Sequence, residues 1–355
     1  MITWPTVSLG QEVHCSSNDR RSNDQSWLSP PISPTDFTAA FNRVKPWVLS
    51  VAAGDISVQK RAKRRPKKVF TAKSEGSAII WGDDKYVLTN AHVIKGYTEL
   101  RARTAYQRVV RLELVAMYEA LDVAILRTKT SEALSDLPSA CYYEELPPVG
   151  SWVAAVGHPY SMPYSLSSGV VSAHHRGELL SEWASSYPGF IQTNITLNPG
   201  NSGGPLIDQR GVMVGMNTAV RQGATGMSLS LPMSRLLPIL SLLINHRKFD
   251  RSFIGLTLSK VSYQRAQKAG LVQPRGVRVK RVREDGPAHL AGLRRNDIIL
   301  RVNGRRFDHP CELSWYLISA IPNVPMIIEM VRSAPHINRG VLLMAPLMRA
   351  PKLLE

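Results

Sequence analysis

From Val69 to about Pro232 the chain runs in short apolar or alternating stretches, each closed by turn residues. Residues 77–81 lead into the turn Gly82-Asp83-Asp84, and residues 86–90 lead into Ala91-His92-Val93-Ile94. Residues 109–117 and 120–128 follow. The turn Pro147-Pro148-Val149-Gly150 precedes residues 152–156, and stretches at 166–174, 189–193, 204–207 and 212–217 complete the series. Short β-prone runs at roughly 8–12-residue spacing with turn signals between them predict an all-β barrel or sandwich.

The flanks differ. Residues 1–34 are rich in Ser, Asn, Asp, Arg and Pro, have no apolar period, and end in Pro30-Pro31-Ile32-Ser33-Pro34, which reads as a disordered tail. Residues 36–44 place Phe37, Ala40, Phe41 and Val44 on one helical face. Thr35 or Asp36 can cap this helix, and Pro46 stops it before a first strand at 47–51. Residues 234–245 read as a short helix kinked by Pro238. Beyond about Phe249 the pattern becomes mixed strand and helix. With 355 residues, two domains are the natural expectation. The reading is a first domain at 35–246, a second at 250–346, and a C-terminal tail at 347–355.

The formal net charge of +17 and pI of about 10.0 imply anionic partners without saying which. Seven of the nine residues in Lys60-Arg61-Ala62-Lys63-Arg64-Arg65-Pro66-Lys67-Lys68 are basic. Mutual repulsion predicts a solvated loop, either an anion-binding or targeting patch or simply an exposed tip. Cys15, Cys141 and Cys311 are far apart and have no metal-ligand spacing. They are read as reduced thiols with structural roles, which points weakly to a reducing compartment. The first residues lack the basic-then-apolar pattern of an export signal, and no run reaches the roughly 18 apolar residues of a membrane span.

Three segments carry candidate chemistry. His92 follows an apolar strand in Leu88-Thr89-Asn90-Ala91-His92-Val93-Ile94. Asp122 lies in Leu121-Asp122-Val123-Ala124-Ile125-Leu126. Ser202 lies in Asn198-Pro199-Gly200-Asn201-Ser202-Gly203-Gly204-Pro205-Leu206. Each alone fits an ordinary turn or edge residue. Together they follow the His–Asp–Ser chain order of chymotrypsin-like proteases, not that of subtilisins or α/β-hydrolases.

These three segments, with Ala155-Val156-Gly157-His158-Pro159-Tyr160, Ser168-Gly169-Val170-Val171-Ser172-Ala173 and Gly215-Met216-Asn217-Thr218-Ala219, resemble the HtrA (DegP/DegQ/DegS) family. That family has a trypsin-type fold followed by a PDZ domain. The resemblance covers roughly residues 37–345. Leu121 departs from it, standing where a small or polar residue is commoner. The fold it implies is mainly β: two six-stranded β-barrels of the chymotrypsin/trypsin type, then a smaller α+β PDZ domain.

The roles follow from the chemistry. Ser202 is the nucleophile, His92 the general base and acid, and Asp122 the group that orients the imidazole. The amides of Gly200 and Ser202 form the oxyanion hole. No metal or organic cofactor is required. Thr196, six residues before the nucleophile, is not the acid that would bind Lys or Arg in a trypsin-like S1 pocket. By resemblance, Leu197 and Met227 line a small apolar S1 pocket. Arg221 stands where the family usually has an apolar residue, either at the pocket rim or pointing to solvent.

In the second domain, Phe253-Ile254-Gly255-Leu256 resembles the carboxylate-binding loop of a PDZ domain, and residues 313–320 its groove helix. The alternative is a β-rich packing module with no peptide ligand. Its many arginines form either a solvated face or a surface selecting acidic peptides; there is no nucleic-acid fold signature. The resemblance implies a serine endopeptidase acting on unfolded or damaged chains, with peptide C-termini bound at the PDZ domain. It also implies trimers or higher oligomers, with Phe37 and Phe41 as possible contacts. The competing expectations are a peptide-binding scaffold with a resting protease site, and a protease docked on anionic surfaces. The compartment reads as cytoplasmic from the missing export signal and as periplasmic from the resemblance.

Overall fold

The structure, a computed structural model, describes residues 13–15, 36–61, 64–130, 133–158, 164–176, 189–220, 226–246, 252–320, 324–334, 337–346 and 348–349. The chain divides into two compact units; among the described residues the first contains 13–15, those from 36 to 176 and 190–246, the second Gly189 and those from Ser252 onward.

The first unit is two closed six-stranded barrels. One closes in the order β1-β2-β3-β6-β5-β4, from β1 (Val48–Arg61), β2 (Arg64–Trp81), β3 (Tyr86–Thr89), β4 (Glu99–Arg103), β5 (Val109–Tyr118) and β6 (Val123–Thr128). The other closes as β10-β11-β12-β9-β8-β7, from β7 (Trp152–Gly157), β8 (Ser165–Ala173), β9 (Ile191–Thr193), β10 (Pro205–Ile207), β11 (Met213–Val220) and β12 (Ser228–Pro232). Closure removes the exposed edges that open antiparallel sheets must protect.

Two strands escape the sequence reading. In β4, Glu99, Arg101 and Arg103 alternate with the buried Leu100 and Ala102, so the charges mask a short strand. In β12 all five residues are buried, serines included. The Ser230 hydroxyl donates to Asn217 Oδ1 at 2.9 Å and Ser228 Oγ to Ile195 O at 2.5 Å, which is how polar side chains can sit inside.

Helix α1 (Thr38–Val44) forms as the apolar spacing predicts. Asp36 Oδ1 accepts from Thr38 N at 2.8 Å, and Ala40 and Val44 are buried. Phe37 is 5% exposed. The helix crosses the turn at Gly211, whose φ is +80°; a Cβ there would stand 3.2 Å from Ala40 O. α2 (Ala91–Ile94) is one turn following β3, and α3 (Met233–His246), with Pro238 inside it, packs on β11 and β12 and reaches β5 and β6.

The structure corrects three expectations. First, the cysteines are not all thiols: Cys15 and Cys141 form a disulfide across a sequence separation of 126. Second, and linked to it, Val13–Cys15 is not free tail. His14 exchanges backbone hydrogen bonds with Tyr142 at 3.0 and 2.9 Å, the two rings stack, and Val13 packs against the core of the second barrel. A lone cysteine in a polar segment gives no sign of a partner so far along the chain. The rest of residues 1–34 lies outside the described residues. Third, the described residues of the basic run, 60–61 and 64–68, are not loop but paired strand; residues 62–63 lie outside the described residues. β1 and β2 pair through Val58↔Lys68 and Gln59↔Lys67 to Arg61↔Arg64. A two-stranded ribbon satisfies its own backbone groups whatever its side chains carry.

The second unit is a sheet in the order β14-β15-β16-β18-β19, from β14 (Leu256–Lys260), β15 (Val277–Val282), β16 (Ile298–Val302), β18 (Pro325–Ala334) and β19 (Ile337–Pro346). β17 (Arg305–Arg306) pairs with β16, and α4 (Tyr263–Lys268), α5 (Pro287–Leu290) and α6 (Pro310–Ile318) cover the sheet. Val279, Ile299, Phe307, Leu313 and Ile328 centre its core. β13 (Ser252–Phe253) pairs with β20 (Met348–Arg349), so two residues expected in the C-terminal tail belong to this unit. Among the described residues no helix is long and apolar enough to cross a membrane.

Candidate active site

His92 is the second residue of the single turn α2, which follows β3 after Asn90. Asn90 stands at its N-cap with extended backbone but makes no cap hydrogen bond. Its amide instead donates to Asp122 O at 2.9 Å and to Thr218 Oγ1 at 3.2 Å, tying three segments together. Asp122 ends a 3-10 turn, Glu119–Leu121, in the left-handed region (φ 58°, ψ 42°), a conformation aspartate tolerates better than most residues. Leu121, the departure from the family pattern, is 4% exposed and serves as a core residue under this turn.

The Asp122 carboxylate is fully engaged. Oδ1 accepts from the His92 backbone N–H at 2.8 Å, and Oδ2 faces His92 Nδ1 at 2.7 Å and accepts from Thr218 Oγ1 at 2.9 Å. The hydrogen bond to Asp122, helped by its charge, holds the His92 imidazole above its ordinary pKa against the opposing effect of burial. The ring is thereby oriented with Nδ1 occupied and Nε2 left to work.

Ser202 sits on a turn held from three sides. Asn198-Pro199-Gly200-Asn201 closes with Asn201 N donating to Asn198 O at 3.0 Å, with Gly200 at φ +104°. Proline then a positive-φ glycine is the pattern of a type II turn. Ser77 anchors it: Ser77 N donates to Ser202 O at 2.8 Å, and Ser77 Oγ to Gly200 O at 2.6 Å. Gly203 N donates to Asn217 O at 2.9 Å. Gly203 has φ +82°, and a Cβ there would stand 2.3 Å from Ser77 O and 2.4 Å from Thr89 Oγ1. Only glycine lets the Ser202 turn lie this close to β2 and to the end of β3. Asn201 O accepts from Gly204 N at 3.1 Å, which turns the Ser202 N–H the opposite way across the planar peptide. Among the described residues neither the Gly200 nor the Ser202 N–H has an acceptor, and Ser202 Oγ makes no hydrogen bond. No group of three His, Cys, Asp or Glu is placed to hold a metal among the described residues.

Around Ser202, Thr196 is exposed and Leu197 packs against the core of the second barrel. Met227 is half-buried just before β12. Arg221 lies outside the described residues. Thr218, Asn90 and Ser77 were not singled out from the sequence, because their value lies in partners 96, 32 and 123 residues away.

Comparison with known proteins matches both units of the chain. The trypsin-like peptidase domain family matches residues 76–216 and the PDZ domain family residues 278–324. The DegP-like periplasmic serine endoprotease of Hahella chejuensis is 30% identical over 352 residues, covering 89% of this chain and 72% of that protein. The chain belongs to the HtrA (DegP-like) serine endoprotease family. Similar HtrA relatives occur in Halomonas elongata (32% identical; 75% of this chain, 55% of the relative) and Ectopseudomonas mendocina (37%; 74% and 54%). The chain thus spans about half the length of these two curated relatives. Among solved structures, the HtrA-type protease AlgW with tripeptide superposes with a TM-score of 0.68 at 25% identity, covering 90% of this chain and 98% of that one. The serine endoprotease from Yersinia pestis gives 0.59 at 24%, covering 90% and 100%.

In the PDZ domain of this HtrA member, β14 is an edge strand facing α6. Ile254 O accepts from Ala288 N and Gly255 O from Arg283 N, both at 2.9 Å. Planar peptides then turn the N–H groups of Gly255 and Leu256 the other way, as a carboxylate-binding loop needs. Phe253 pairs with Met348 and lies under the Arg283 guanidinium, 5.5 Å from its ring centre.

Proposed function

We propose that this chain is a serine endopeptidase that cleaves unfolded or damaged proteins and uses its PDZ domain to capture peptide C-termini. The observation that carries the reading is the His92–Asp122 pair at 2.7 Å, set beside the glycine-built turn of Ser202. In the reaction Ser202 Oγ attacks the scissile carbonyl while His92 Nε2 takes its proton. The tetrahedral oxyanion is held by the Gly200 and Ser202 amides. His92 then protonates the leaving amine, and water hydrolyses the acyl-enzyme by the same route. Asp122, steadied by Thr218, keeps the imidazole in the working tautomer. Each oxyanion donor contributes about 3–4 kcal/mol to the transition state. The P1 preference is for small apolar residues, with Leu197 and Met227 in the S1 pocket and no acid at Thr196.

Gly255 and Leu256 bind the terminal carboxylate, with Phe253 and Ile254 shaping the loop. The active protein is a trimer or larger, and it works in the periplasm. The names of the relatives support that compartment, and so does the Cys15–Cys141 disulfide, which suits an oxidising environment. The test is casein degradation by wild type and Ser202→Ala, with and without added C-terminal peptides. Loss of hydrolysis in Ser202→Ala supports the reading; equal activity in both proteins overturns it. A second reading, a peptide-binding scaffold with a resting site, draws on the absence of a Ser202 Oγ hydrogen bond among the described residues. Activity that appears only with peptide distinguishes a gated protease from a scaffold.

A further inference from the structure

The outward face of the first barrel carries a cavity of about 370 Å³, lined by neither His92, Asp122 nor Ser202. Its floor is small. Ser50 and Ala52 of β1 face it, with Ala52 paired to Glu75 of β2 on one side and to Arg101 of β4 on the other, and Ser50 paired to Arg103. The period of two puts Arg101 and Arg103 on one face of β4, so short residues between long ones make a trough. Phe70 closes one wall. His158, at the end of β7, and Tyr164, just before β8, close another.

The polar groups here are under-used. The Arg101 guanidinium lies over the Phe70 ring at 4.1 Å, and its Nε is buried with no acceptor. Arg103 Nη1 reaches Gln107 Oε1 at 3.3 Å, and among the described residues neither arginine has a carboxylate partner. His158 is 6% exposed, and its Nδ1 is buried and unpartnered. Burial pushes its imidazole down to about 4, so the ring is neutral and can donate from Nδ1. Glu75, the carboxylate in the lining, is engaged in an interaction of its own. Buried donors left without acceptors are costly, and two guanidiniums converging on a cavity of ligand size are a recurring arrangement for binding planar or tetrahedral oxyanions.

We propose that this cavity binds a small oxyanion ligand, a carboxylate or a phosphate, with Arg101 and Arg103 as its charged partners and Phe70 as its apolar wall. The site communicates with the nucleophile turn through one residue. His158 N donates to Ser77 Oγ at 2.9 Å, and Ser77 in turn donates to Gly200 O and Ser202 O. A ligand that steadies His158 therefore steadies the oxyanion turn; this consequence, unlike the binding itself, rests on the peptidase reading.

The test is isothermal titration of the full chain with inorganic phosphate and with glutarate at constant ionic strength in chloride. Saturable binding that weakens about tenfold or more in Arg101→Gln and in Arg103→Gln supports the proposal. Response to glutarate alone assigns a carboxylate, and response to phosphate alone assigns a phosphate. Arg103 is exposed, so its variant keeps the test valid if Arg101→Gln fails to fold. No saturable binding of either anion, or unchanged affinity in Arg103→Gln, overturns the proposal. Ser202→Ala must bind the anion as wild type does, so failure of the peptidase reading leaves this result readable.

Discussion

Thr218 Oγ1 donates to Asp122 Oδ2 at 2.9 Å, the same carboxylate oxygen that faces His92 Nδ1. The carboxylate is thus fixed by a strand of the second barrel while the imidazole it orients sits on the first. Thr218→Val keeps the shape and removes the donor. Loss of one hydrogen bond to a charged group costs about 1.5–3 kcal/mol. The expected outcome is a fall in kcat/KM of roughly tenfold or more, with KM little changed, and recovery in Thr218→Ser. Steady-state kinetics on a chromogenic peptide check it.

With His92 as the proposed general base, its raised pKa is expected to set the acid limb of activity. The base works only when neutral, so kcat/KM falls as pH drops through a midpoint above the ordinary value of 6.5. Stability runs the other way. A folded pKa above the unfolded one means that the charged His92–Asp122 pair stabilises the fold fully below pH 6.5, and that this is lost as pH rises through the folded value. The stability gap between wild type and His92→Gln, measured by urea unfolding, should therefore be wider at pH 6 than at pH 9.

Ser77 Oγ both donates to Gly200 O and accepts from His158 N. Ser77→Ala strands two buried backbone groups, each worth about 1–3 kcal/mol of desolvation. Because one of them belongs to the oxyanion turn, kcat should fall by about tenfold or more while circular dichroism shows the barrels intact.

Gly203→Ala should be worse. The new Cβ would meet Ser77 O at 2.3 Å from a backbone at φ +82°, so the turn must move. Positive-φ strain alone costs about 1–3 kcal/mol. A thermal melt should show a lowered midpoint, and casein hydrolysis should vanish.

The Cys15–Cys141 bond closes a long loop. Cys15→Ser or Cys141→Ser should each lower stability by about 2–4 kcal/mol in urea unfolding, and the double variant should lose no more than either alone. Equal stability of wild type under oxidising and reducing conditions would contradict the bond.

What the sequence determined by itself is what neighbours along the chain encode. Apolar alternation and turn residues made the barrel strands readable, because burial on one face of a strand imposes a period of two. The fold type was readable because His92, Asp122 and Ser202 each sit in a local motif whose order along the chain points to it. β4 was lost because its outward charges dilute the alternation, and β12 because its buried serines look polar until Asn217 and Ile195 O are seen beside them.

Only the tertiary structure decided the pairings. Barrel closure sets which of many hydroxyls meets Asp122, and it chose Thr218, 96 residues away. It placed Ser77 beneath the nucleophile turn and brought Cys15 to Cys141 and Ser252 to Arg349. Hydrogen bonds and disulfides act over a few ångströms, so their partners are fixed by where the backbone returns in space, and no local pattern records that.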